Sequence, residues 1–368
     1  MERLYIGIYG GVNSGKSTLI NRLAGQDIAI VAPQAGTTTD PVRKNIELEG
    51  VGPAVLIDTA GYGDDTALAA RRAAKTAQTL DIVDMAVVLS AAAPTPQDTA
   101  FIETLKQRKI PFFIINKEQA QDRRAVLRLI QKNKPAHISA KQVLLDDIVA
   151  AGDIVVLVTP IDAAAPQGRL ILPQAQSIRN LLDNNAVSVV LQPRQLAGFL
   201  AQNKNVKLVV TDSQAFGEVN KIVPADIALT SFSILFARLK GNFELYLKSA
   251  GAIDKLKDGD KVLMLESCAH SAGACDDIGR VKLPALLSKK TGKKLEFSIV
   301  SGLDALPVNL REYALIIQCG GCMVTKQQLK TRIEAAAAAG APVTNYGVAM
   351  AYCAGILPRV TEVFKKGI

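Results

Sequence analysis

Residues Gly10-Gly11-Val12-Asn13-Ser14-Gly15-Lys16-Ser17 form a Gly-x-x-x-x-Gly-Lys-Ser loop between the apolar run Leu4–Tyr9 and the helical run Thr18–Leu23. A strand that turns through glycines into a helix leaves successive amides free to surround a phosphate, and the helix N-terminus adds a favourable dipole. This spacing commits the N-terminal part of the chain to an α/β fold. Lys16 is expected to reach the β/γ oxygens, and Ser17 to ligate Mg²⁺. Asn13, Ser14, Gly15 and Thr18 complete the nucleotide-binding loop.

Further signals specify the nucleotide. Thr38, within Gly36-Thr37-Thr38-Thr39-Asp40, is the candidate to close over Mg²⁺, and Val55-Leu56-Ile57-Asp58-Thr59-Ala60-Gly61 reads as a strand ending in Asp-x-x-Gly. Asp58 is expected to hold Mg²⁺ through water and the Gly61 amide to sense the γ-phosphate. The strand Phe112–Ile115 runs into Asn116-Lys117, and Ser139-Ala140 matches the second guanine loop. The guanine-reading carboxylate is replaced by Gln119, which weakens discrimination unless Glu118 substitutes, because an amide offers one acceptor where a carboxylate offers two. Tyr62 follows Gly61 where Ras-type enzymes place a water-orienting Gln, so hydrolysis is expected to be slow.

At 368 residues the chain exceeds the roughly 250 at which single cores stop growing, so several domains are expected. Lys and Arg number 43 against 34 Asp and Glu, but no block of five like charges appears. With 10 Phe, 7 Tyr and no Trp, no aromatic-basic platform for RNA is evident. The five cysteines cluster towards the C-terminus, which argues against a disulfide framework and for a reducing, cytoplasmic setting. No apolar run approaches the roughly 18 residues of a membrane span, so neither membrane nor nucleic acid is an expected partner.

The α/β reading divides the chain into a P-loop GTPase domain over 1–165, a small α/β domain over 166–257 and a doubly wound α/β domain over 258–368. The first boundary rests on the Pro/Ala/Gly-rich connector Thr159–Leu170 after the strand Ile154–Val158. Strand runs at Val187–Leu191 and Val206–Thr211 alternate with helical patterns at Arg194–Ala201 and Gln214–Val223. Leu229–Arg238 is read as the start of a long apolar helix, either core or subunit interface. In the last domain, Leu315-Ile316-Ile317-Gln318 stops abruptly at Cys319-Gly320-Gly321-Cys322, and Val262–Leu265 runs into Glu266-Ser267-Cys268-Ala269-His270. If these are neighbouring parallel strands, their carboxyl ends meet where open sheets bind ligands. Cys268, Cys319 and Cys322, with His270 beside them, then form one soft-metal site. Zinc on three thiolates and an imidazole remains open at this point, as do a redox pair and buried structural thiols. Cys275 and Cys353 are read as incidental.

The Gly-x-x-Asn-x-Gly-Lys-Ser, Gly-Thr-Thr and Asp-Thr-Ala-Gly motifs resemble the bacterial GTPases of tRNA modification and ribosome assembly. In potassium-activated members the residue matching Asn13 helps bind K⁺. The connector, Leu229–Arg238, Cys268-x-His270, Asp276-Asp277-Ile278-Gly279-Arg280, Cys319-x-x-Cys322 and Thr344–Ala349 together resemble the HydF-type FeFe-hydrogenase maturation GTPases over essentially the whole chain. That resemblance implies GTPase, dimerisation and iron–sulfur-binding domains in order, and a 4Fe–4S cluster on Cys268, Cys319 and Cys322. It also implies a homodimer that carries a diiron subcluster precursor to apo-hydrogenase, with radical-SAM maturases as further partners. Gln318 stands where the family usually has His, which leaves the fourth ligand to His270, a carboxylate, another thiol or solvent. The contrasting reading is an RNA- or ribosome-associated GTPase with a structural Cys₃His zinc site.

Overall fold

The computed structural model describes residues 3–25, 42–59, 61, 76–91, 93–135, 143–161, 168, 170–266, 278–301, 304–321 and 324–365. The chain forms two compact units, Met1–Gln142 and Val143–Ile368.

The first unit is built on β1 (Leu4–Gly10), α1 (Lys16–Ala24), β2 (Val42–Leu48), β3 (Gly52–Asp58), β4 (Met85–Leu89), α2 (Pro96–Gln107), β5 (Phe112–Ile115) and α3 (Arg123–Asn133). Its sheet runs β2-β3-β1-β4-β5, with only the β2–β3 pair antiparallel. β4 is buried at all five positions, as expected of a strand covered on both faces. Apolar side chains fill both faces of the sheet, Leu19, Ile20 and Leu23 of α1 on one and Leu80, Val83 and Leu105 on the other. The phosphate-binding loop leaves the central strand, so both walls of the site are fixed by parallel pairing.

The second unit contains two four-stranded parallel sheets. The first comprises β6 (Ile154–Val158), α4 (Leu172–Asp183), β7 (Val187–Leu191), α5 (Pro193–Gln202), β8 (Val206–Thr211), α6 (Phe216–Ile222), β9 (Ala228–Ser231) and α7 (Phe232–Lys240). Its order is β7-β6-β8-β9. The second comprises α8 (Phe243–Ala250), β10 (Lys261–Leu265), α9 (Leu283–Thr291), β11 (Glu296–Val300), β12 (Tyr313–Gln318), α10 (Lys326–Ala338), β13 (Val343–Asn345), α11 (Tyr346–Cys353) and α12 (Leu357–Glu362). Its order, β11-β10-β12-β13, repeats that of its neighbour. In each sheet the chain first adds a strand on one side and then crosses to the other, which opens a crevice at the carboxyl ends. One continuous apolar core, from Leu144 to Phe364, joins the two sheets.

Two expectations need correction. β6 is not an exit strand of the first domain but an inner strand of the middle sheet, paired with both β7 and β8. The first boundary therefore falls between Gln142 and Val143 instead of at 165. The Pro/Ala/Gly-rich stretch after β6 is a connection within one domain, and composition alone does not separate that case from a linker. Leu229–Arg238 is not all helix either, since Leu229–Ser231 belongs to β9. The Ser231 hydroxyl accepts the Ile234 N–H at 3.2 Å, capping α7 and ending the extended run.

Candidate functional site

Two sites stand at the carboxyl ends of parallel strands. In the first unit, β1 turns at Gly10, and Asn13 takes a left-handed φ of 61° before Gly15 at φ 99° leads into α1. A side chain at Gly10 would lie 2.5 Å from the Leu89 carbonyl, so the tight turn requires glycine. Lys16 is buried, and its Nζ donates to the carbonyls of Gly10 at 3.1 Å and Gly11 at 2.8 Å. Burial holds its ammonium down to about 8, an effect that Asp58 partly offsets. The Ser17 hydroxyl donates to Asp58 Oδ2 at 2.7 Å. Burial raises the Asp58 carboxyl above its ordinary range, against the opposing pull of Ser17, Lys16 and Lys44. The hydroxyl and carboxylate that Mg²⁺ needs are thus gathered at one point. Gly61 lies against the loop itself: a Cβ there would meet the Val12 N at 2.8 Å and its Cα at 2.9 Å.

A cavity of about 600 Å³ opens beside the loop, lined among others by Asn13, Ser14, Ser90, Asn116, Lys117 and Glu118. Asp98, buried on its wall, accepts from Ser90 Oγ at 2.8 Å and the Thr95 N–H at 2.9 Å. The Asn116-Lys117 turn is closed from within. Gln119 Oε1 accepts the Asn116 N–H at 3.0 Å, and Asn116 Oδ1 accepts the Gln119 N–H at 2.8 Å. Gln119 therefore braces the turn while Glu118 lines the cavity. Thr38, Ser139 and Ala140 lie outside the described residues.

In the second unit, β10 pairs with β12 in parallel register, Leu265 opposite Gln318. Cys268 follows the first strand by three residues and Cys319 the second by one. Cys319 is buried, and its Sγ accepts the Gly321 N–H at 3.4 Å, with Gln318 Nε2 at 3.7 Å. N–H donors to sulfur stabilise a thiolate and tune any iron it holds. Burial drives the Tyr246 phenol above its usual range, and the nearby Cys319 thiol adds to that shift. Cys268, His270, Cys275 and Cys322 lie outside the described residues. Cys353 is half-buried and its thiol is pushed up to about 11 by burial, which fits an inert structural role.

Gln318 is fully buried, and Nε2 donates to the Leu265 carbonyl at 3.2 Å, so it ties β10 to the cysteine turn. Glu266, just past β10, is clamped by Arg280, with Nη2 at 2.9 Å and Nε at 3.2 Å, and accepts from Ser301 Oγ at 3.2 Å. Arg280, the last residue of the Asp-Asp-Ile-Gly-Arg stretch, thereby helps to fix the crevice rim. The residues that sequence reasoning missed are Ser233 and Lys240 of α7, since the middle domain carried no chemical motif. Ser233 Oγ accepts the Gly347 N–H at 3.2 Å, and Lys240 Nζ donates to Gly321 O and Val324 O at 3.3 Å each.

Two predictions follow from the first site. Phosphate binding restores the proton to Lys16, so affinity is full below the free-protein value near 8 and falls as pH rises through it. Calorimetric titration should show GTP binding about tenfold weaker at pH 9 than at pH 7, and a weak, pH-independent residue of binding in Lys16→Met. Gly61→Ala must displace the loop backbone, and steady-state GTP hydrolysis should fall about a hundredfold.

Comparison with known proteins divides the chain at the same point as its two compact units. Residues 5–117 match the 50S ribosome-binding GTPase family, 144–241 the Hydrogen maturase F dimerization domain and 244–363 the Hydrogen maturase F tetramerization domain. Among curated proteins, tRNA modification GTPase MnmE of Nitrosospira multiformis is 40% identical over 107 residues, 28% of this chain and 24% of its own. The Laribacter hongkongensis protein of the same name is 35% identical over 164 residues, 41% of this chain and 36% of its own. The chain thus spans under two fifths of the length of these relatives. Among solved structures, an Aquifex aeolicus Era variant bound to GDP.AlF4⁻ overlays 85% of this chain and 96% of its own, at 16% identity and a TM-score of 0.29. The GTPase likeness is local, whereas the two maturase descriptions run end to end over more than half of the 368 residues and meet at the α7–α8 junction, so the chain is a GTPase of the Hydrogen maturase F family.

Proposed function

We propose that this GTPase is a scaffold for FeFe-hydrogenase maturation, binding a 4Fe–4S cluster through Cys268, Cys319 and Cys322 and delivering a diiron precursor to apo-hydrogenase. The observation that carries the reading is the β10–β12 pairing, which sends both cysteine-bearing loops out from adjacent carboxyl ends. The buried Cys319 sulfur, supplied with N–H donors, suits an anionic cluster ligand. A cubane on three thiolates keeps one iron for a weak or exchangeable ligand, with His270 the candidate for that position. Gln318 is spent on the Leu265 carbonyl and fits the role of donor to sulfur better than that of ligand. The cargo is a diiron unit received from radical-SAM maturases.

At the nucleotide site, Ser17 and Thr38 hold Mg²⁺, with Asp58 acting through water, and Asn13 offers its side chain to K⁺. Asn116, Lys117, Ser139 and Ala140 recognise the base, with Glu118 supplying the acceptor that Gln119 does not. Hydrolysis is slow and potassium-stimulated, and the setting is cytoplasmic.

Self-association fits the exposed edge of the middle sheet. β7 is an edge strand with Val187 and Val190, one on each face, 48% and 42% exposed, and a second copy pairing along that edge would cover both.

Four measurements test these assignments. Anaerobic iron reconstitution should give a broad visible band and an electron-spin signal on reduction, and protein loaded with a synthetic diiron complex should activate apo-hydrogenase. A colourless protein with one bound zinc overturns the reading. Cys319→Ala should lose the cluster and keep GTP hydrolysis, so full iron content in that variant rejects the ligand assignment. Val190→Lys should halve the mass seen by light scattering; an unchanged mass excludes β7 as the interface.

A further inference from the structure

α7 reaches the cysteine turn directly at its end and, through Asn345, the strand that leads into it at its start. At its start, Ser233 Oγ accepts the Gly347 N–H and donates to Asn345 Oδ1, both at 3.2 Å, and Asn345 Nδ2 donates to the Gln318 carbonyl at 3.1 Å. At its end, the Lys240 ammonium reaches Gly321 O and Val324 O, two carbonyls that flank Cys322 in the chain. Lys240 is 7% exposed, and lysines are seldom so buried unless their charge is used. A cation in the last turn of a helix is favourable in itself. That does not account for an ammonium directed into the turn of a different sheet. A lysine suits the task because a compact charge with three donors can hold two carbonyls at once.

We propose that Lys240 is a positioning residue that fixes the Cys319–Cys322 turn and supplies positive charge favouring the thiolates and the reduced form of the cluster they hold. This inference rests on the iron–sulfur reading above. It gives the middle segment a second task besides self-association, since one of its helices forms a wall of the cluster site. Charge beside a cluster moves its potential, and partners behind metal ligands govern retention.

The test uses the full chain reconstituted anaerobically as wild type, Lys240→Gln, Lys240→Met and Lys240→Arg. Potentiometric titration followed by electron spin resonance reads the midpoint potential, and iron release to a chelator reads retention. Lys240→Gln and Lys240→Met should lower the potential and release iron roughly tenfold to a hundredfold faster. Lys240→Arg should keep a potential near that of wild type. GTP hydrolysis and circular dichroism report whether each variant is folded, and the Gln variant retains a donor for the turn if the Met variant fails to fold. A neutral variant with the wild-type potential and retention overturns the proposal, as does an Arg variant whose potential falls as far as that of Gln. Wild type that takes up no iron–sulfur cluster instead defeats the parent reading, so the two failures are distinct.

Discussion

The carbonyl of Leu265 accepts both the Cys319 N–H, at 2.9 Å, and the Gln318 carboxamide, at 3.2 Å, where the parallel ladder between β10 and β12 ends. Those two bonds hold the start of the cysteine turn at the point where the preceding strand opens towards Cys268. The rest of the site is arranged around that junction. Asn345 fixes the Gln318 carbonyl from β13, Arg280 and Ser301 clamp Glu266 beside it, and Lys240 secures the far side of the turn. Each partner comes from a different element, so the turn is determined by tertiary contacts on all sides.

The two four-stranded sheets of the second unit share one strand order and one core, yet among the described residues only one of them carries a thiol at its crevice, Cys319. The middle sheet ends instead in hydroxyls, with Ser213 and Ser231 paired at 3.0 Å. Its link to the neighbouring crevice is α7, which leaves β9 directly and is hydrogen-bonded there through Ser233 and Lys240. A helix whose apolar side is core and whose ends carry Ser233 and Lys240 serves packing and site construction together.

The nucleotide site works by a different economy of charge. Lys16 and Asp58 are both desolvated, and burial works against the charged form of each. Their mutual attraction and the Ser17 hydrogen bond partly compensate, and polyphosphate with Mg²⁺ supplies the charges that such a pair lacks. Gly61, seated on the Val12 backbone, stands directly against the phosphate loop.

Local sequence determined most of the strands, though not β9, and with them the phosphate loop and the point at which β12 gives way to Cys319. Buried parallel strands read as unbroken apolar runs, and Gly10 and Gly15 occupy backbone geometry that side chains disfavour. It also anticipated that β10 and β12 would lie side by side, because both stop at metal-binding residue types. What it could not show was membership: the unbroken apolar run that marks β6 is the same whether the strand closes one sheet or founds the next. It was equally silent on the Gln119–Asn116 brace and on Lys240, since an amide in a turn and a lysine at a helix end look ordinary until their acceptors are known. Those acceptors lie up to 84 residues away in the chain, and only the folded packing brings them within hydrogen-bonding reach.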